Sequence, residues 1–210
     1  MTSTLPVTAV NVPTAATLLS AVEELTRASV REVFRTMLEI EVADAADAPL
    51  APGDAGQIFA SVGFVGDVTG VVHLCAGVPL AKVITGHMLG LSESDVVSDE
   101  MLNDGFAELG NMVVGWVKSR LSNRGWPCVL TLPSVVRGNN LSIQSIPNTC
   151  GRILGFHAGL HPFVIELLIG DPRGETPPPA TVPNPAPSPA VSSFPALTDS
   201  DAKTPLNTDF

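Results

Sequence analysis

Proline is distributed unevenly along this chain of 210 residues, and its distribution limits where a folded domain can form. Ten of the 19 prolines lie in the segment 171–210, which has almost no side chains that could build an apolar core. Closely spaced prolines favour an extended, solvated backbone. We therefore predict a flexible leader over 1–13, a single folded domain over 14–170 and a disordered proline-rich tail over 171–210. A docking segment for a proline-binding domain is the functional alternative for the tail.

The charge of the chain excludes two classes of partner. Eleven lysines and arginines stand against 21 aspartates and glutamates, which gives a net charge of −10. Nucleic-acid binding needs a basic surface, and so does binding to anionic lipid. We therefore expect neither nucleic acid nor membrane as a partner.

The cysteines and the chain start predict the compartment. Cys75, Cys128 and Cys150 are an odd number with no CxxC spacing, which argues against a disulfide framework and against a zinc site. The first residues lack the basic region of a secretory signal, and no apolar stretch is long enough to span a bilayer. We expect a soluble cytoplasmic protein with free thiols.

Apolar periodicity predicts an α/β (α+β) domain. Steps of three and four indicate helices, whereas alternation indicates strands. The predicted helices cover Thr14–Leu38, Pro79–Leu89 and Ser98–Asn123. The predicted strands cover Glu39–Ala43, Gln57–Val65, Val68–Ala76, Trp126–Val136, Leu141–Ile146, Arg152–Phe156 and Pro162–Ile169. Gly66 and Asp67 are typical of the turn in a hairpin.

The long helix over Ser98–Asn123 carries the most informative pattern. At about 100° per residue, one side is apolar and is predicted to face the core; it comprises Leu102, Phe106, Leu109, Val113, Trp116 and Val117. The opposite side carries two carboxylates, a carboxamide and a glycine, which are Asp104, Glu108, Asn111 and Gly115. We call these four residues the polar stripe.

The polar stripe and its neighbours are unfavourable for a helix. Asn111 and the three glycines at 105, 110 and 115 together cost on the order of 3 kcal/mol relative to alanine. A sequence that breaks a local preference without a packing reason is a candidate functional site. The alternative is an ordinary solvated helix face, on which acidic residues and asparagine are common.

The spacing Asp104-x-x-x-Glu108-x-x-Asn111 resembles the signature helix of the CheC/CheX/FliY phosphatases of bacterial chemotaxis. Three further segments resemble the family in the same order. They are VREVFRTMLEIEV (30–42), FVGDVTGVVHL (64–74) and LPSVVRG (132–138). The first helix has arginine, at Arg27 and Arg35, where a second signature would need asparagine, so the single signature is similar to CheX.

The resemblance implies a CheX-like domain with the signature helix and other helices packed on a mainly antiparallel sheet. It implies hydrolysis of the aspartyl phosphate of a CheY-like receiver domain in two-component signalling. Asn111 would orient the attacking water, and Glu108 would pair with a lysine of the receiver. Asp104, which matches the first position of the signature, is a predicted partner contact, and so is Gly115, whose missing side chain would let a partner approach the backbone. The Mg²⁺ would be held by the receiver, with no cofactor or metal in this chain.

Two questions stay open at the level of sequence. A non-catalytic receiver-binding or dimerisation module is the alternative to an enzyme, since the same fold could bind without accelerating hydrolysis. The resemblance also implies a homodimer, for which edge strands after the signature helix offer a pairing surface.

Overall fold

A computed structural model describes residues 14–47, 50, 56–92, 95, 98–139, 141 and 148–170. The helices in this part of the chain are α1 (Ala15–Met37), α2 (Val78–Leu89) and α3 (Asp99–Asn123). The strands are β1 (Val42–Ala45), β2 (Gln57–Gly66), β3 (Gly70–Gly77), β4 (Cys128–Leu130), β5 (Ser134–Gly138), β6 (Thr149–Ala158) and β7 (His161–Gly170). None of these helices is long and apolar enough to cross a membrane. The predicted leader and tail lie outside the described residues, as does the predicted strand 141–146 apart from Leu141.

The strands form one antiparallel sheet in the order β1-β6-β7-β3-β2-β4. Strand β5 also pairs with β2, along the same edge as β4. Helices α1 and α3 pack on the sheet and on each other, and α2 packs against α3. The predicted fold class, with helices on a mainly antiparallel sheet, is confirmed.

The hairpin β2–β3 supplies the floor on which α3 lies. Alternate residues of β2 are buried, namely Ile58, Ala60, Val62 and Phe64. Because strand side chains alternate between the two faces, these four point to the same side of the sheet. Their partners on β3 include Val72 and Leu74, which are buried as well. The strands predicted over Gln57–Val65 and Val68–Ala76 are therefore confirmed, with the alternation of apolar residues on which they rest.

Helix α1 covers the other half of the sheet. Its N-cap is Thr14, whose hydroxyl accepts a hydrogen bond from Thr17 N. Phe34 stacks on Phe163 of β7 with the ring centroids 4.9 Å apart. The apolar steps of three and four that run from Leu18 to Met37 predict Met37 on the buried side of this helix, but it is 54% exposed because it is the last residue of the helix.

Two predicted strands differ from the structure. The strand expected at Glu39–Ala43 begins at Val42, because Glu39 has a positive φ of 57° and turns the chain after α1. The strand expected over Trp126–Val136 is divided into β4 and β5. Pro133 lies in the break between them, where it cannot donate a ladder hydrogen bond.

Candidate functional site

The apolar side of α3 packs against the core and so determines which of its residues face outward. Its N-cap is Ser98, whose hydroxyl accepts from Met101 N at 3.1 Å. Five of the six residues predicted to face the core are buried, namely Leu102, Phe106, Leu109, Val113 and Val117. Trp116 was also predicted there and is instead 40% exposed, because it lies at the border of the apolar arc, where its ring contacts Arg120.

The polar stripe lies on the outward side of α3. Asp104 and Glu108 are exposed, whereas Asn111 and Gly115 are half-buried. Glu108 and Asn111 are separated by about 4.5 Å along the helix axis and point about 60° apart. The structure therefore places all four residues of the predicted site on one continuous surface.

The three side chains of the polar stripe are not engaged by any other residue that the structure describes. Among the described residues, Asp104, Glu108 and Asn111 have no hydrogen-bond or ion-pair partner. A carboxylate and a carboxamide held on a rigid helix without internal partners can donate to or accept from another molecule at little cost of rearrangement. The arrangement suits recognition of a cationic group by Glu108 and of a water or hydroxyl by Asn111.

The glycines of α3 serve two different purposes. A Cβ on Gly105 would lie 2.6 Å from Thr85 Oγ1 of α2, and one on Gly110 would lie 3.2 Å from Ala60 Cβ of β2. These two glycines are explained by close packing, so their interpretation as signs of function is wrong. A Cβ on Gly115 would have no atom within 4 Å. Of the three, Gly115 alone lacks a packing explanation.

Ion pairs that the sequence analysis missed hold both ends of α3. Asp99 in the first turn pairs with Arg137 of β5, and the hydrogen bond from that guanidinium holds the pKa of the Asp99 carboxyl below its usual value. Arg124, just past the last turn, pairs with Glu24 of α1 at 3.2 Å. The partners are 38 and 100 residues apart in sequence, so no local pattern could reveal them.

The C-terminal half of α3 carries two cations, Lys118 in line with the polar stripe and Arg120 on the apolar side of the helix. The Arg120 guanidinium lies 5.4 Å from the centre of the Trp116 ring. Lys118 is half-buried. Ser119, which is exposed between them, donates from its hydroxyl to the Gly115 carbonyl at 3.0 Å. Lys118, Ser119 and Arg120 were not predicted as site residues, although helix periodicity gives their positions relative to Asn111.

Comparison with known proteins gives a family match over the middle of the chain. The family model described as "Chemotaxis phosphatase CheX" matches residues 58–157. This range runs from β2 into β6 and includes all of α3 with the polar stripe. No curated protein matches the chain.

Solved structures share the fold over most of their own length. Chemotaxis protein CheX from Vibrio vulnificus is 26% identical with a TM-score of 0.62, and the match covers 70% of this chain and 95% of that one. A CheC-like superfamily protein from Shewanella sp. PV-4 is 25% identical with a TM-score of 0.61, over 70% and 96%. A chain of the CheX–CheY–BeF3–Mg²⁺ complex from Borrelia burgdorferi is 20% identical with a TM-score of 0.60, over 71% and 97%. At that last identity the likeness is one of fold.

Proposed function

Because the chain is a CheX-like member of the CheC/CheX/FliY family, we propose that it hydrolyses the aspartyl phosphate of a CheY-like receiver domain. The family whose model it matches is a family of chemotaxis phosphatases. A protein of the same fold has been solved in complex with CheY, beryllofluoride and Mg²⁺. The observation that carries the proposal is the pair Glu108 and Asn111, which lie on the outward side of α3 without internal partners among the described residues.

Asn111 is proposed to orient the attacking water. Phosphoryl transfer depends mainly on positioning and on charge stabilisation, so a neutral amide that holds water in line is sufficient. The Asn111 carboxamide offers both an acceptor and two donors. The half-buried position limits its rotamers, which favours one orientation.

Glu108 is proposed to pair with a lysine of the receiver, one turn before Asn111. An ion pair at this point would fix the register of the receiver along α3 and would place the phosphoryl group near Asn111. Asp104 lies about one further turn toward the N-terminus and would extend the same contact. Gly115, with open space above it, would allow the receiver backbone to come close.

The receiver would also provide the metal ion. Mg²⁺ is usually held by one or two carboxylates together with the phosphate itself. In this proposal α3 contributes only the carboxylate and the carboxamide. A homodimer is proposed as well, and the candidate surface for pairing is the edge that β4 and β5 form in the sheet of described strands.

Phosphate release from phosphorylated receivers tests the catalytic proposal. CheY-type receivers of the source organism are phosphorylated with acetyl phosphate, and release is followed with wild type, Asn111→Ala and Glu108→Gln. We expect Asn111→Ala to lower the rate about a hundredfold or more, because misplacing one reacting group has an effect of that size. Glu108→Gln should mainly weaken binding.

Asn123→Ala is the matched control, since Asn123 is an exposed asparagine of the same helix, at its last residue. Its rate should equal that of wild type. If Asn111→Ala also kept the wild-type rate, the mechanism would be refuted. If wild type bound a beryllofluoride-activated receiver but accelerated no hydrolysis, the non-catalytic receiver-binding module would be the correct function.

A further inference from the structure

The cations of the domain are almost all neutralised by nearby carboxylates. Within the described residues, each arginine except Arg120 forms an ion pair with aspartate or glutamate; these are Arg27, Arg31, Arg35, Arg124, Arg137 and Arg152. The Arg120 guanidinium instead makes a cation–π contact with the Trp116 ring. In the same part of the chain, Lys82 and Lys118 have no carboxylate partner. In an acidic protein, an unpaired lysine is a charge available to another molecule.

Lys118 lies on α3 in line with the polar stripe, whereas Lys82 lies on α2. Seven residues separate Lys118 from Asn111, which corresponds to about 10.5 Å along the axis and a rotation of about 20°. The Lys118 ammonium lies near Cys128 of β4: burial raises the pKa of that thiol, and the charge of Lys118 partly offsets the rise. Among the described residues, no atom lies within 4 Å of the position that a Cβ on Gly115 would take, so the helix surface between Asn111 and Lys118 is open there.

The polar stripe extended to Lys118 is therefore polarised along its length. It begins with the carboxylates of Asp104 and Glu108, continues with the neutral Asn111 and Gly115, and ends with a cation. Glu108 and Lys118 are about 15 Å apart along the axis. A partner that docks along α3 must present its own charges in the complementary order, because the reversed orientation would set like charges against each other.

We infer that Lys118 is a specificity-determining contact, which binds a carboxylate on the receiver surface outside the phosphorylation site. This inference rests on the proposed function. Asn111 is proposed to act at the phosphoryl group. A cation about 10.5 Å further along the helix would therefore contact the receiver outside its phosphorylation site. Together, Glu108 and Lys118 select receivers that carry a lysine and a carboxylate at the matching separation.

Charge reversal separates this contact from the catalytic step. The rate constant kcat and the KM for a phosphorylated receiver are measured for wild type, Lys118→Ala, Lys118→Glu and Lys82→Glu at low and high salt. Lys82 is the matched control, because it too is a half-buried helical lysine without a carboxylate partner among the described residues. The receiver is the one that wild type dephosphorylates fastest.

We expect KM to rise about three- to fivefold in Lys118→Ala, the size typical of one exposed ion pair. In Lys118→Glu we expect a rise of about tenfold or more, because repulsion is added. The kcat should stay within about twofold of wild type, and the difference in KM should shrink in high salt. Changing the contacted carboxylate of the receiver to lysine should restore the KM of Lys118→Glu. Lys82→Glu should leave both constants unchanged.

Three results would overturn the inference. In the first, Lys118→Glu keeps the wild-type KM while Asn111→Ala loses activity, which leaves the proposed function standing. In the second, Lys118→Glu loses kcat at constant KM, which assigns the lysine to the arrangement of the site. In the third, wild type neither binds nor dephosphorylates any receiver, which removes the proposed function as well. Circular dichroism and urea unfolding show whether each variant is folded.

Discussion

Replacing glycine with alanine in α3 is expected to change the free energy of unfolding in opposite directions at Gly115 and at Gly105. Gly115→Ala adds a methyl group where no atom lies within 4 Å. Gly105→Ala adds the same group 2.6 Å from Thr85 Oγ1, on a buried β-branched residue that cannot move away without shifting α2. Both changes replace the helix-destabilising glycine with the best helix former.

The magnitudes follow from helix propensity and packing. Alanine is favoured over glycine inside a helix by about 1 kcal/mol. For Gly115→Ala nothing opposes this gain, so the free energy of unfolding should rise by about 1 kcal/mol, or about 2–4 °C in Tm for a domain of this size. For Gly105→Ala, overpacking costs about 1–3 kcal/mol and cancels or exceeds the gain.

Urea unfolding, monitored by circular dichroism, measures the change in the free energy of unfolding. Phosphate release from the phosphorylated receiver measures the change in activity. Although stabilised, Gly115→Ala should lose about tenfold or more in turnover or affinity, since the methyl group stands where the receiver backbone is proposed to approach. Gly105→Ala changes no surface that the receiver would touch, so its specific activity in the folded state should stay close to wild type.

Two results would refute this reasoning at different points. A lower unfolding midpoint for Gly115→Ala would show that the space above this glycine is not open in solution. A higher midpoint with unchanged activity would show that the space is open but unused. In that case Gly115 would be removed from the proposed partner-binding surface, while the roles of Glu108 and Asn111 would remain to be judged by their own variants.

Further predictions concern the stability of the fold. The pKa of Asp47 is lowered because its carboxylate accepts the Gly155 backbone N–H and pairs with Arg27. The stability that this charge provides is therefore present above the ordinary pKa near 3.8 and is lost as pH falls through the lower folded-state value. Asp47→Asn keeps an acceptor for Gly155, so its deficit should be at most about 1 kcal/mol at pH 7 and should vanish in acid, as urea unfolding at both pH values will show. The hydroxyl of Thr85 is buried without a partner among the described residues, so Thr85→Val should raise the free energy of unfolding by about 1 kcal/mol; a lower urea midpoint would contradict this.

The sequence predicted the rotation of α3 because helix periodicity depends only on local spacing. The same spacing could not separate the glycines, since Gly105 and Gly115 have the same local cost and differ only in the neighbours that the fold brings to them. The ion pair of Asp99 with Arg137 could not be predicted from the sequence either. Such contacts depend on where β5 is placed beside β2, which sequence periodicity does not determine.

The polarised stripe also explains how an acidic domain could bind an acidic partner. Residues 1–170 carry nine basic and sixteen acidic side chains, a net charge of −7, and an aspartyl phosphate adds further negative charge on the receiver. Bulk electrostatics therefore opposes association, and raising the salt concentration should relieve that repulsion. The proposed contact of Lys118 would act in the opposite direction, because salt weakens an ion pair. In wild type the two effects should largely cancel, and the KM should depend little on salt. In Lys118→Glu this attraction becomes a repulsion while the proposed Glu108 pair is unchanged, so the KM of the variant should fall relative to that of wild type as salt is added. A ratio of the two KM values that grows with salt would show that Lys118 does not face negative charge on the receiver.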